Sequence, residues 1–329
     1  MHYIGSKANL TDFLVTEIKK VVGDDLSKMV FCDLFAGSGT VGGAFKKDVK
    51  QVISNDLEYY SYILNFTIIK NQQDSSVYQK YLDVLNGLHG RDDGIIYSNY
   101  ALGSGSGRNY FSDENAKRID AVRMQIEMWY KDEELDRDGY YFLLASLLQS
   151  VEKVANTASL YGAFLKELKK TAQNQMVLLP AQYESSKNSN EVFNKDANEL
   201  IQEIKGDILY LDPPYNHRQY GANYHILNTI ALYDTFTPRG KTGVREYESS
   251  AYCKKTEVYK SFEALIKDAK FRYIFMSYSN EALMSEDEIK NIMSKYGNYS
   301  VFKQEHQRFK SYKKYRPKTY EHLHILIKD

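Results

Sequence analysis

Residues 207–215 read Asp-Ile-Leu-Tyr-Leu-Asp-Pro-Pro-Tyr, and this stretch limits the possible folds more tightly than any other. Its Ile-Leu-Tyr-Leu run shows no polar alternation, as expected of a strand covered on both faces. Pro213 and Pro214 then remove two backbone donors and fix two φ angles, so the strand must end in a rigid turn. Strands buried on both faces belong to parallel sheets flanked by helices. In such sheets the carboxyl edge is where ligands bind.

The amino-terminal part follows the same pattern. Met29–Phe35 is an apolar run ending at Gly37 and Gly39, then come a helix over Thr40–Lys47 and a strand over Gln51–Ser54. Leu57–Asn71 follows as a helix with Tyr60, Ile63, Leu64 and Ile68 spaced for one buried face. This βαβα opening predicts an α/β fold with a doubly wound sheet. The middle differs. Helices are expected over Ser75–Leu88, Ser112–Tyr130 and Tyr140–Ala155, around a Gly- and Ser-rich loop at Gly90–Gly107, with almost no strand signal. The α/β pattern resumes with a helix at Ala197–Ile204, the Asp207–Leu211 strand, and strands at Tyr273–Ser277, Tyr299–Lys303 and His322–Ile327. Helices are expected at Tyr224–Tyr233, Glu257–Lys267 and Glu286–Lys295. The expected organisation is one domain from residues 1–71 and 192–329, interrupted by a mainly helical insert at 72–191.

The turn at Asp212–Tyr215 can aim the Asp212 carboxylate and the Pro213 carbonyl at one point, with the Tyr215 ring beside them. Two acceptors held together suit an amino group, which offers two hydrogens. A structural Pro-Pro turn is the less economical reading. Asp33-Leu-Phe-Ala-Gly-Ser-Gly-Thr40 joins the first strand to its helix, and Gly37 and Gly39 let the backbone approach a ligand closely. A phosphate-binding loop is excluded because no Gly-Lys-Ser/Thr follows. Gly42 does supply the third glycine of a dinucleotide fingerprint, so a NAD-dependent oxidoreductase stays open on this motif alone. Asp56, at the end of the second strand, can accept from both ribose hydroxyls of an adenosine-containing ligand, or simply cap a helix. Asp196 raises the same pair of readings, with capping the stronger one in isolation. Tyr3-Ile-Gly-Ser-Lys7 can close over a methionine carboxylate, but alone says little.

In this order, Tyr3–Lys7, Phe35-Ala-Gly-Ser-Gly39, a helical insert and Asp212-Pro-Pro-Tyr215 resemble the Dam-like α group, or D12 class, of N6-adenine-specific DNA methyltransferases. Asn216-His-Arg-Gln-Tyr220, Asn223-Tyr-His225, Gly240-Lys-Thr-Gly243 and Ser277-Tyr-Ser-Asn280 look like the branch holding the FokI- and NlaIII-type modification enzymes. The resemblance implies a Rossmann-like S-adenosylmethionine-dependent methyltransferase sheet whose insert recognises the target. Tyr3, Lys7, Asp33, Phe35, Gly37, Gly39, Asp56, Asp196 and Asp212 would contact S-adenosylmethionine, the methyl donor, and no metal is required. Asp212, Pro213, Pro214 and Tyr215 would form the catalytic turn, acting on a base flipped from the helix. The implied substrate is double-stranded DNA. The implied setting is a restriction–modification system, with a cognate endonuclease acting separately and the methyltransferase working as a monomer.

Asn156 in the insert, Arg218, Tyr220 and Arg245 after the catalytic turn, and Lys313 and Arg316 in a basic–aromatic segment (308–318) are candidate DNA contacts. With 43 Lys and Arg against 43 Asp and Glu, formal charge is zero, so any basic cleft must be balanced elsewhere. Cys32 and Cys253 form neither a disulfide framework nor a metal motif. With no spanning apolar run and no secretory leader, a soluble cytoplasmic protein is expected, with no membrane partner. Three alternatives remain: N4-cytosine methylation on the same turn, methylation of RNA or a protein amide, and a catalytically silent cofactor- and DNA-binding regulator.

Overall fold

The computed structural model describes residues 10–279, 282–306 and 319–329, with backbone alone at 304–306 and 319–321. Contacts divide the described residues into two compact units, one comprising 10–57, 188–219 and the described part of 249–329, the other 58–187 and 220–248.

The first unit contains a seven-stranded sheet. Its strands are β1 (Val30–Asp33), β2 (Gln51–Asn55), β3 (Glu191–Phe193), β4 (Lys205–Leu211), β5 (Lys270–Ser279), β6 (Gly297–His306) and β7 (Thr319–Lys328), in the order β3-β2-β1-β4-β5-β7-β6. From β3 to β5 all neighbours are parallel, while β7 runs antiparallel between β5 and β6. The α/β expectation therefore holds, with β1 and β4 central as their apolar sequences require. The order shares 3-2-1-4-5 with the 3-2-1-4-5-6 arrangement of dinucleotide-binding folds and departs from it by the antiparallel β7 inserted between β5 and β6.

Side-chain alternation sets the packing. Cys32, Leu34, Leu209, Leu211, Ile274 and Met276 join one core with Leu200, Ile201, Phe262, Leu265, Ile289 and Ile292. These last residues come from helices Ala197–Glu203, Val258–Asp268 and Glu286–Met293. Each fully buried aliphatic there contributes about 1.5–3 kcal/mol. Elsewhere Phe31 stacks on Phe45 with ring centroids 4.3 Å apart, tying β1 to the short helix Thr40–Phe45 that follows it.

The second unit is helical. Its longest helices, Asp113–Lys131 and Arg137–Val154, start at side-chain caps, Ser112 accepting the Asn115 amide and Asp136 the Gly139 amide. The stretch expected to be a loop contains the helix Ile95–Tyr100. Its cause lies far along the chain, where buried Asp120 accepts the Ile96 and Tyr97 amides at 3.0 and 2.8 Å. The division also differs from the expected boundaries at 71/72 and 191/192. Helix Tyr59–Asn65 and residues 220–248 belong to the helical unit, where Asn228 accepts the Tyr60 amide at 3.0 Å and donates to Glu58 at 2.6 Å.

Candidate active site

β4 ends at Leu211, and Asp212, Pro213, Pro214 and Tyr215 leave the sheet at its carboxyl edge. Pro213 is buried, whereas Asp212, Pro214 and Tyr215 are partly accessible. Tyr215 packs against the sheet core, and its carbonyl accepts the Leu283 amide at 3.1 Å. Two prolines and this tether hold the turn rigid.

On the neighbouring strand, β1 passes into a glycine turn. Gly37 and Gly39 sit at φ 51° and 77°, in the left-handed region that a β-carbon disfavours, which is why glycine occupies both. The turn closes through Gly39 N–H to the Ala36 carbonyl at 2.8 Å, and Ala36 N–H to the Asn55 carbonyl at 2.9 Å. Phe35 meets Tyr252 edge-on at 4.9 Å. Asp56, just past β2, accepts the Gly37 amide at 2.8 Å. It thus links the ends of β1 and β2.

Asp33 lies beneath this turn, 1% exposed. Its Oδ2 accepts the Gly42 amide at 3.0 Å, so the third glycine of the motif serves a carboxylate of this chain. Burial pushes its carboxyl up to about 8, the Gly42 hydrogen bond opposes the shift, and the charges of Asp212 and Asp56 add to it. Asp196 caps helix Ala197–Glu203, its Oδ1 accepting the Asn198 and Glu199 amides at 2.8 and 3.3 Å.

Asp33, Phe35, Gly37, Gly39, Asp56, Asp196 and Asp212–Tyr215 all belong to the sheet unit. Tyr3, Lys7, Lys313 and Arg316 lie outside the described residues. Two DNA candidates need correction. Asn156 is fully buried, its amide donating to the Asn109 and Leu165 carbonyls and accepting the Lys169 amide, so it clamps a loop. Arg245 is 9% exposed and forms a two-pronged pair with Asp234, both contacts at 2.9 Å, with Phe236 beneath its guanidinium. Arg218 is exposed, and Tyr220 is half-buried against Tyr224, ring centroids 5.9 Å apart.

One positioning residue escaped the sequence reading. Asn55 is 1% exposed, donates to the Leu34 and Lys195 carbonyls, and accepts the Lys195 amide, all at 3.1 Å. It therefore ties the glycine turn to the segment that carries Asp196. An amide at the carboxyl end of the second strand, directly before Asp56, was the available signal. Among the described residues there is no group of three or more His, Cys, Asp or Glu side chains fit to hold a metal, and no helix long and apolar enough to cross a membrane.

Residues 3–316 match the model of the D12 class N6 adenine-specific DNA methyltransferases, and the chain belongs to that family. It is a DNA methyltransferase specific for adenine. Among its relatives is the type II methyltransferase M.NlaIII of Neisseria lactamica, 56% identical over all of this chain and 99% of that protein. M.CviAII of Paramecium bursaria Chlorella virus 1 is 41% identical over 94% of this chain and 92% of its own length. M.FokI of Planomicrobium okeanokoites is 39% identical, with all of this chain matching 53% of that longer protein.

Proposed function

We propose that the chain methylates adenine N6 within a short sequence of double-stranded DNA, with S-adenosylmethionine as donor, and that it protects DNA within a restriction–modification system. The observation that carries this reading is the rigid Asp212–Tyr215 turn at the carboxyl edge of a central strand, beside the Asp33–Gly39 turn of its neighbour. The residues fit a cationic, adenosine-bearing donor. A buried carboxylate and two further acidic side chains surround the site, and the left-handed glycines bring backbone close to it. When bound, S-adenosylmethionine supplies a methyl group already made electrophilic by its sulfonium.

The protein's task is then largely orientation. Asp212 and the Pro213 carbonyl accept hydrogen bonds from the target amino group, which draws electron density onto nitrogen and favours its pyramidal form. Tyr215 stacks on the extruded base, which must leave the duplex because its amino nitrogen is unreachable inside the stack. Phe35, Gly37, Gly39, Asp56, Asp196, Tyr3 and Lys7 hold the donor. Arg218, Tyr220, Lys313 and Arg316 contact DNA, and the helical unit reads the target sequence. The M.NlaIII relationship supports the restriction–modification role, and the same reading has the chain act as a monomer with its endonuclease separate.

The test is Asp212→Asn alongside Asp212→Ala under single-turnover conditions, with donor binding measured by calorimetry. Transfer should fall by at least a hundredfold with Asp212→Ala, a far larger loss than in donor binding, and by less with Asp212→Asn, which keeps an acceptor oxygen. Transfer by Asp212→Ala within tenfold of the parent would refute the role given to this turn.

A further inference from the structure

Asp33 ends β1, which lies between β2 and β4. The register sets it beside Ser54 and Tyr210, so the flanking chains reach Asp56 and Asp212 two residues later on either side. Asp33 thus sits between two other carboxylates, both of which disfavour a further negative charge on it. The helix packed over it, Thr40–Phe45, contributes the Gly42 amide and no charged side chain. On its own strand the neighbouring titratable group is the buried Cys32 thiol, which Asp33 pushes further up. No lysine, arginine or histidine among the described residues ranks among the influences on Asp33. Its Oδ1 is buried and has no hydrogen-bond partner among the described residues.

At neutral pH and below, such a carboxyl group has reason to ionise only when a positive charge arrives. S-adenosylmethionine carries a sulfonium and an ammonium against one carboxylate, and so has a net positive charge. The demethylated product, S-adenosylhomocysteine, is neutral overall. Building on the reading that S-adenosylmethionine is the donor, we propose that Asp33 is a specificity-determining residue that senses cofactor charge. It holds a proton in the ligand-free protein, releases it when the cationic donor binds, and so favours donor over product. The exchange balances: the Asp33 O–H bond breaks, the proton leaves to solvent, and the carboxylate formed is neutralised by the donor's charge. Product binding brings no such compensation, so Asp33 keeps its proton. The elevated affinity of Asp33 for its proton, near pH 8, makes the exchange measurable at neutral pH.

The experiment is isothermal calorimetry of the full chain in buffers of different ionisation enthalpy, between about pH 6 and 7, where the methionine ammonium of both ligands stays charged. S-adenosylmethionine should release close to one proton per site and bind about tenfold more tightly per pH unit. S-adenosylhomocysteine should release almost none and bind with little pH dependence. Sinefungin, in which an ammonium replaces the sulfonium, should behave like the donor. Asp33→Asn should abolish the release and narrow the preference for donor over product by about tenfold. Should that variant fail to fold, difference infrared spectroscopy of the parent protein gives the same answer, because a protonated carboxyl band must vanish when the donor binds. Donor binding without proton release, equal release with donor and product, or a persisting carboxyl band would overturn this inference alone. Failure of S-adenosylmethionine to bind at all would overturn the donor assignment and this inference with it.

Discussion

The stability of the ligand-free protein should fall as pH rises through neutrality, and Asp33 is the reason. Its native value near 8 stands above an ordinary 3.8, so between those limits the native state retains a proton that the unfolded chain has lost. The contribution is fully present below about pH 4 and is lost as pH rises through 8. Each pH unit within that window removes up to about 1.4 kcal/mol, which gives a loss of about 2 kcal/mol between pH 6 and 8. For a chain of this size that corresponds to a midpoint shift of about 3–5 °C, provided unfolding of the sheet unit is monitored. The control is Asp33→Asn, which keeps an acceptor for the Gly42 amide but cannot ionise. Thermal melts of both proteins at half-unit pH steps should converge below about pH 4 and diverge progressively as pH rises to 8, with the variant becoming the more stable. Parallel profiles across pH 6–8 would refute the reasoning, because the burden of ionising this carboxyl would then be absent.

Three further outcomes follow from the packing. Asn55→Ala should destabilise the sheet unit by about 3 kcal/mol in chemical denaturation, since it strands two carbonyls and one amide in a buried place. Arg218→Ala should weaken DNA binding and lower the slope of log affinity against log salt by about 0.9, as loss of one phosphate contact requires. Arg245→Ala, by contrast, should cost about 1 kcal/mol of stability through the lost Asp234 pair and Phe236 contact, and leave the salt slope unchanged in the same filter-binding titration.

The central strands were legible because burial on both faces leaves no room for polar alternation, as in Ile208–Leu211. The edge strand β3 was not, being three residues long, one exposed and two half-buried, with no apolar run to mark it. Helix Ile95–Tyr100 was hidden for another reason. Its amides are received by a side chain at position 120, so the local Gly- and Ser-rich sequence carries no start signal. The contact-based division departs from the expected insert where contacts join distant segments, Asn228 reaching back to Glu58 and Tyr60 across some 170 positions. The position of Asp33, Asp56 and the Asp212–Tyr215 turn at the carboxyl ends of β1, β2 and β4 was readable from motif and strand pattern together. Asn156 and Arg245 show the converse. Residue type suggests a polar surface contact, and only the fold reveals that their hydrogen-bonding groups are already engaged within the chain.

The most direct test of the account identifies the base that receives the methyl group. The purified chain is incubated with methyl-labelled S-adenosylmethionine and unmethylated genomic DNA, which is then digested to nucleosides and resolved. Label in N6-methyldeoxyadenosine, absent with Asp212→Ala, is the predicted result. Label in N4-methyldeoxycytidine, or none in DNA despite donor binding, would contradict it.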